Sequence, residues 1–212
     1  MTTPSAEASL VVVRILWNAS DLFASIGYDA TTIEEVARRA SVDIAEVTAL
    51  FPTTESMMQA LIDHDLEQGL AWAEAEAAGD GPAVERLYRY LAKDIAWVLA
   101  SPYDLSGIDR VHLIKRPEFR PWREKMERLR SLRLEMVRQA IADGDFIQVA
   151  PEFAHEAITS VIIGTLETHR GSPEEDAASR GADLAAFALR SLLRKPKRID
   201  EIRKAAGLDE SA

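Results

Sequence analysis

Apolar positions recur at helical spacing along almost the whole chain. Leu16, Ala19, Phe23 and Ile26 fall on one face of a first helix. Gly27 follows where a left-handed C′ residue would close it. Thr32 starts a short second helix, with Thr32 and Glu35 at capping-box spacing. Ala40-Ser41-Val42 makes a turn, and Asp43 and Glu46 repeat the spacing, so a third helix begins near Ile44. Pro52 ends that helix, and Thr53 caps a long fourth one reaching Ala78. Gly79-Asp80-Gly81-Pro82 is the clearest break. Beyond it the pattern predicts helices over 83–100, 105–114, 121–143, 151–170 and 174–193. They are separated by Ser101-Pro102-Tyr103-Asp104, Arg116-Pro117, Gly144 and Gly171-Ser172-Pro173, and Pro196 opens a polar tail with room for one more short helix. The Val/Ile/Thr alternation that marks strands is absent. The expected fold is all-α with about nine helices. It divides into a three-helix N-terminal domain (10–66), a larger helical domain (67–194) and a polar tail (195–212).

The stretch TTIEEVARRASVDIAEVTALFPTTESMM, Thr31 to Met58, has the form of a helix-turn-helix reader of the major groove. Its charge is wrong for easy contact with DNA. The net charge is −10, and residues 1–66 hold only Arg14, Arg38 and Arg39 against ten acids, so −7 of it lies there. Such a balance argues against a generic nucleic-acid or anionic-membrane binder. Of the remaining cations, Arg38 and Arg39 end the second helix and read either as an ordinary solvated pair or as contacts to phosphate. Asp43 and Glu46 act as caps, and Asp43 puts a carboxylate at the helix N-terminus that ordinarily attracts phosphate. Thr31, Thr32, Thr48, Thr53 and Thr54 are available as neutral donors to phosphate. Ala45 and Ala49 complete the candidate DNA surface. Trp17 and Phe23 read as core, because duplex binding exposes no base faces.

The absence of cysteine removes disulfides, thiolate metal sites and a thiol nucleophile, and fits a reducing cytoplasm. MTTPSAEASLVVVRILW lacks a basic region and a small-residue cleavage site, so no secretory signal is expected, and no apolar run approaches the ~20 residues that span a bilayer. His64, His112, His155 and His169 show no H-x-x-x-H or mixed carboxylate spacing, so no metal site is expected. Without a Gly-rich phosphate loop or a nucleophile elbow, neither an enzyme nor a cofactor is expected.

The run LWNASDLFASIGYDATTIEEVARRASVDIAEVTALFPTTESMMQAL, Leu16 to Leu61, resembles the TetR family of bacterial transcription regulators. The matching pieces are A-x-x-L-F-x-x-x-G-Y from Ala19 to Tyr28, Thr31-Thr32, I-x-x-V-A-x-x-A from Ile33 to Ala40, Val42, Phe51-Pro52, Glu55 and Leu61. A looser likeness continues from Arg116-Pro117-Glu118-Phe119 through Ala142–Phe146 to the last two helices. Thr48, Ala49 and Leu50 depart from the Tyr, His and aromatic that the family carries at those positions, and Thr54 stands where a phosphate-binding Lys is usual. Asp43 replaces a usual Ser, and Ala45 a usual Gly.

The resemblance implies a homodimer whose last two helices pair across a two-fold axis, two heads in successive major grooves of operator DNA, and a ligand pocket in each larger domain. Ile158, Val161, Ile162, Thr165 and Leu166, with Leu184, Phe187, Ala188, Ser191 and Leu192, give those last helices apolar faces, and Gly164 suits close approach. Trp72, Tyr88, Trp97, Tyr103, His112, Phe119, Trp122, Met126 and His169 lie on helices that would surround the pocket. Residues 110–138 hold ten bases and four acids. They read either as a solvated face with Glu124 and Arg128 as an i,i+4 pair, or as a cationic rim for an anionic ligand such as the phosphates of a coenzyme A thioester. The basic cluster Arg194–Arg198 reads as an ordinary solvated tail, with contact to nucleic acid as the alternative. The expected function is an operator-binding regulator answering to a small hydrophobic or anionic ligand. The alternative is a TetR-like dimer that has lost autonomous DNA binding and acts as a sensor or a protein-binding or heterodimer partner.

Overall fold

A computed structural model describes residues 6–103, 113, 115–169 and 174–207, with side chains for residues 10–103, 113, 115–166 and 176–207. The described residues form nine α-helices. They are α1 (Ala6–Ser25), α2 (Ile33–Ala40), α3 (Ile44–Leu50), α4 (Thr54–Ala78), α5 (Ala83–Ala100), α6 (Arg120–Ala142), α7 (Pro151–His169), α8 (Glu174–Arg190) and α9 (Ile199–Ala206). Short 3-10 turns cover Pro117–Phe119 and Pro196–Arg198. Among these residues there is no strand, only an isolated antiparallel bridge between Phe146 and Leu193. The helix expected over 105–114 lies outside the described residues except at Leu113. No described helix is long and apolar enough to cross a membrane.

The chain packs as two units: Met1–His64 with Pro102–Glu124, and Asp65–Ser101 with Lys125–Ala212. In the first, α1 buries Ile15, Leu16, Ala19, Leu22 and Phe23. Val36, Ala37 and Ala40 of α2, Val47 of α3, and Met57, Met58 and Leu61 of α4 close over them. Residues 102–124, expected as part of the larger domain, contribute Tyr103, Leu113 and Phe119 to this same core. Trp17 does not join it. At 100° per residue, position 17 lies about 160° from the middle of the buried face, and Trp17 is 52% exposed in an outward row with Leu10 and Val13. Ile26, expected on the buried face, falls beyond the end of α1 and is also exposed.

In the second unit, α8 lies against α5 through a seam of small residues, Ala177, Gly181, Ala182, Ala185 and Ala188. The approach is closest at Gly181, where an added Cβ would stand 2.6 Å from the Ala92 carbonyl oxygen and 2.8 Å from the Ala96 nitrogen. Both obstacles are backbone and cannot swing away. Gly181→Ala is therefore expected to destabilise the unit by about 1–3 kcal/mol, read as a lower urea midpoint at unchanged slope. Gly164, expected to permit close approach, faces open space in the single chain.

Arg86 is buried and finishes α4. Its guanidinium donates to the carbonyls of Glu76 (2.9 Å) and Ala77 (3.0 Å) in the last turn of α4 and of Gly81 (3.2 Å) in the loop that follows. The further short helix allowed in the polar tail is α9, which buries Ile199, Ile202 and Ala206 against α5 and α8. Three apolar residues at helical spacing hold it there, and Arg198 of the basic cluster pairs with Asp145. The basic run in α6 also pairs differently from expectation. Arg128 meets Glu74 at 3.4 Å, and Glu124 meets Arg120 at 3.8 Å.

Candidate nucleic-acid interface

Capping chemistry sets α2 and α3. Thr32 Oγ1 accepts from the Glu35 N–H at 3.2 Å. The Glu35 carboxylate leaves the other half of the capping box unmade and turns to Arg38, at 2.5 and 3.0 Å. Ser41 makes the turn with φ +51°, its N–H shared between the Ala37 and Arg38 carbonyls. Asp43 Oδ1 then accepts from Ala45 N–H at 2.8 Å. With its last and first turns so closed, α3 buries Val47 and exposes Ile44, Ala45, Glu46, Thr48, Ala49 and Leu50.

The hydroxyls divide into two kinds. Thr32 and Thr53 accept bonds from helix N–H groups, Thr53 from Ser56 at 3.1 Å, and keep their own protons for an outside acceptor. Thr48 donates back to the Ile44 carbonyl at 2.8 Å, so its methyl is the group it presents. Thr31 is buried, donates to the Gly27 carbonyl at 2.9 Å, and does not reach the surface shared by the others. Thr54 is half-buried, beside the Tyr28 phenol.

Most cations of this unit's helix-turn-helix already have carboxylate partners. Arg38 pairs with Glu35, and its hydrogen bond holds the Glu35 carboxyl below the usual range. Arg39 pairs with Asp21 of α1, tying α2 to it. Arg14 is exposed and ion-paired to no described residue. Arg116 adds a cation from the later segment. It meets Asp29 at 2.6 Å, lowering that carboxyl too, and lies 5.2 Å over the Tyr28 ring. Tyr28 packs on Phe23 and Phe119 at 5.4 and 5.9 Å. Its phenol is pushed up first by burial and then by Glu55 and Glu118. The sequence reading missed Asp21, Asp29, Tyr28 and Arg116. The Arg116–Asp29 separation of 87 residues leaves no local spacing to find.

Residues 15–61 match the family model described as bacterial regulatory proteins, tetR family. The first unit carries a tetR-family head. Solved structures extend the likeness to the whole chain at the level of fold. Mycobacterium smegmatis AmtR superposes with a TM-score of 0.71 at 18% identity, covering 97% of this chain and 95% of that one. The ketosteroid transcriptional regulator KstR2 of Mycobacterium tuberculosis gives 0.75 at 18%, covering 91% and 98%. A bacterial regulatory protein in the tetR family from Rhodococcus RHA1 gives 0.61 at 25%, covering 82% and 94%. No curated protein matches the chain. The chain thus has the TetR-family transcriptional-regulator fold.

The residues expected around a TetR-type pocket belong to both units. Tyr103 and Phe119 are buried in the head's core, with Trp122 packed against it. Trp72 and Trp97 meet edge-on at 6.1 Å in the second unit, where Tyr88 is fully buried with its hydroxyl 3.4 Å from the Ala182 carbonyl and Met126 is exposed. His112 and the His169 side chain lie outside the described residues. Of the residues expected at a TetR-type dimer seam, Ile158, Ile162, Ala188 and Leu192 are buried within the chain itself. Val161, Thr165, Leu166 and Leu184 are half-buried, and Ser191 and Phe187 are exposed. Phe153 and Ile163 of α7 are exposed as well and were missed, although Ile163 directly follows a residue of the expected stripe. Among the described residues, no group of three His, Asp or Glu is placed to hold a metal ion.

Proposed function

We propose that the chain regulates transcription as a homodimer. Each α3 would enter a major groove of a near-palindromic operator, and a small ligand held in the second unit would change the grip. One observation carries this reading: α3 is supported through Val47 alone and exposes its remaining six residues. A helix serving only the core would not be arranged so. Its surface is mainly apolar. Ala45, Ala49 and the Thr48 methyl suit the C5-methyl of thymine, and Glu46 suits the cytosine amino group. Exposed Phe187 of α8 and Phe153 and Ile163 of α7 support a second copy as the dimer partner.

The test is a titration of duplex from the chain's own upstream intergenic region, at about 50 and 200 mM salt. Saturable binding that survives nonspecific competitor is expected, weakened when uracil replaces thymine in the half-sites. Failure to bind at the lower salt overturns the reading in favour of a sensor without autonomous DNA binding.

A further inference from the structure

The second unit holds charged and polar groups that DNA binding leaves unused. Tyr90 of α5 is fully buried and donates its hydroxyl to Asp94 Oδ2 at 3.0 Å, one turn along. Asp94 packs so closely on α4 that a Cβ at Gly69 would collide with its Oδ1. Arg133 of α6 lies 6.0 Å over the Tyr90 ring. Its Nε is buried and bonds to no described residue. His155 of α7 is 7% exposed, and its Nε2 is likewise buried without a partner among the described residues.

Native interiors rarely leave such atoms unmet, and each one calls for an explanation. The described neighbours of Arg133 in the basic run turn instead to surface acids: Lys125 to Glu67 at 2.7 Å, Arg128 to Glu74 at 3.4 Å, Arg130 to Glu127 at 3.4 Å and Arg138 to Glu152 at 2.9 Å. The helices packed in this unit also carry buried Ala73, Leu87, Leu91, Leu134, Val137 and Ile158.

We propose that Arg133 and His155 form the polar end of the effector site and receive the carboxylate of a small organic acid, whose apolar part lies among these helices. This rests on the ligand-responsive reading above and narrows it from a hydrophobic or anionic ligand to one that is both. Arg133 Nε–H and His155 Nε2–H are the donors. Tyr90, held by Asp94, sets the Arg133 guanidinium through its ring face. The local charge selects an anion over an amine. Burial first, then the charges of Arg133 and Arg130, lower the His155 pKa to about 4, so the free site holds a neutral ring beside two cations. Burial also raises the Asp94 carboxyl, and Asp65 adds to that rise, while Arg133 and the Tyr90 hydrogen bond oppose it.

A bound carboxylate would favour the imidazolium and lift His155 above its free value. By linkage, the carboxylate then binds more tightly as pH falls toward the raised value, until protonation of the ligand's own carboxyl in the ordinary carboxylate range removes the anion.

The experiment uses octanoate, octanol and octylamine, equal in tail and different in head, titrated calorimetrically into the full chain. The His155 ring is followed by NMR. The expected result is at least about tenfold preference for octanoate over both others, equivalent to about 1.4 kcal/mol, and an upward His155 titration shift on saturation. Arg133→Gln and His155→Gln should each abolish the preference. Equal binding of the three heads, preference for octylamine, or an unmoved His155 titration overturns the proposal. If a variant fails to fold, the wild-type preference and the His155 shift decide alone. An operator titration of the same samples separates the two readings. Intact operator binding without preference among the heads removes only the acid site, whereas absent operator binding removes the regulatory reading and leaves the calorimetry to judge the site.

Discussion

Phe187→Asp is expected to convert the proposed homodimer to monomers and to lower operator affinity by about 10²- to 10⁴-fold, the advantage that linking two binding heads supplies. Phe187 is 68% exposed in the single chain, so its ring does little for the fold of one copy. Exposed substitutions away from special features change stability by about 0.5 kcal/mol or less, and the variant's monomer should melt as a folded protein. At a two-fold seam the same position recurs from the partner. The change would then place two carboxylates in a dry interface with no cation provided for them, a cost that association cannot absorb. Light scattering reads the mass and fluorescence anisotropy reads the operator. A variant that stays dimeric with unchanged affinity would move the seam away from α8. A monomer that still binds one half-site weakly would confirm that the heads are intact.

The head was legible in the sequence because its signals are local. Thr32, Ser41, Asp43 and Thr53 each act within a few residues, and the structure shows their caps and turn where the spacing puts them. What the spacing did not determine was the choice between equal neighbours. Asp43 caps Ala45 rather than Glu46, and Glu35 serves Arg38 rather than Thr32. Trp17 shows a second limit. Residue type argued for burial, while the helical phase of Ile15, Leu16, Ala19, Leu22 and Phe23 argued against it, and the phase prevailed. Phe119 and Tyr103 show a third: nothing in their own segment says that their ring partners are Tyr28 and His64, dozens of residues earlier. In the second unit, counting bases between 110 and 138 could not single out Arg133. Its setting comes from Tyr90 of α5, over whose ring it lies, and its charge acts on His155 of α7.

Glu35→Gln combined with Asp21→Asn is expected to raise duplex affinity by at least about tenfold at low salt, and to steepen the salt dependence. In the wild-type head, a phosphate approaching Arg38 or Arg39 must displace a carboxylate that already neutralises it. The gain per contact is thus smaller than for a free cation. Removing both carboxylates leaves two uncommitted guanidiniums per head and four per dimer. At about 0.9 per phosphate contact, the log–log slope can steepen by up to about 3.6. The fold should survive, because solvent screens exposed pairs of this kind and leaves them little weight in stability. Glu34→Gln supplies the control, since it removes the same charge from α2 without releasing an arginine. An equal gain from Glu34→Gln would mean that the acidic field of residues 1–66, rather than these pairs, limits binding. No gain from the double variant would place Arg38 and Arg39 away from the phosphates. Mild acid should not imitate the Glu35 change. Arg38 keeps that carboxyl ionised below its usual range, so the pair persists as pH falls from 8 toward 5 and opens only below the lowered value.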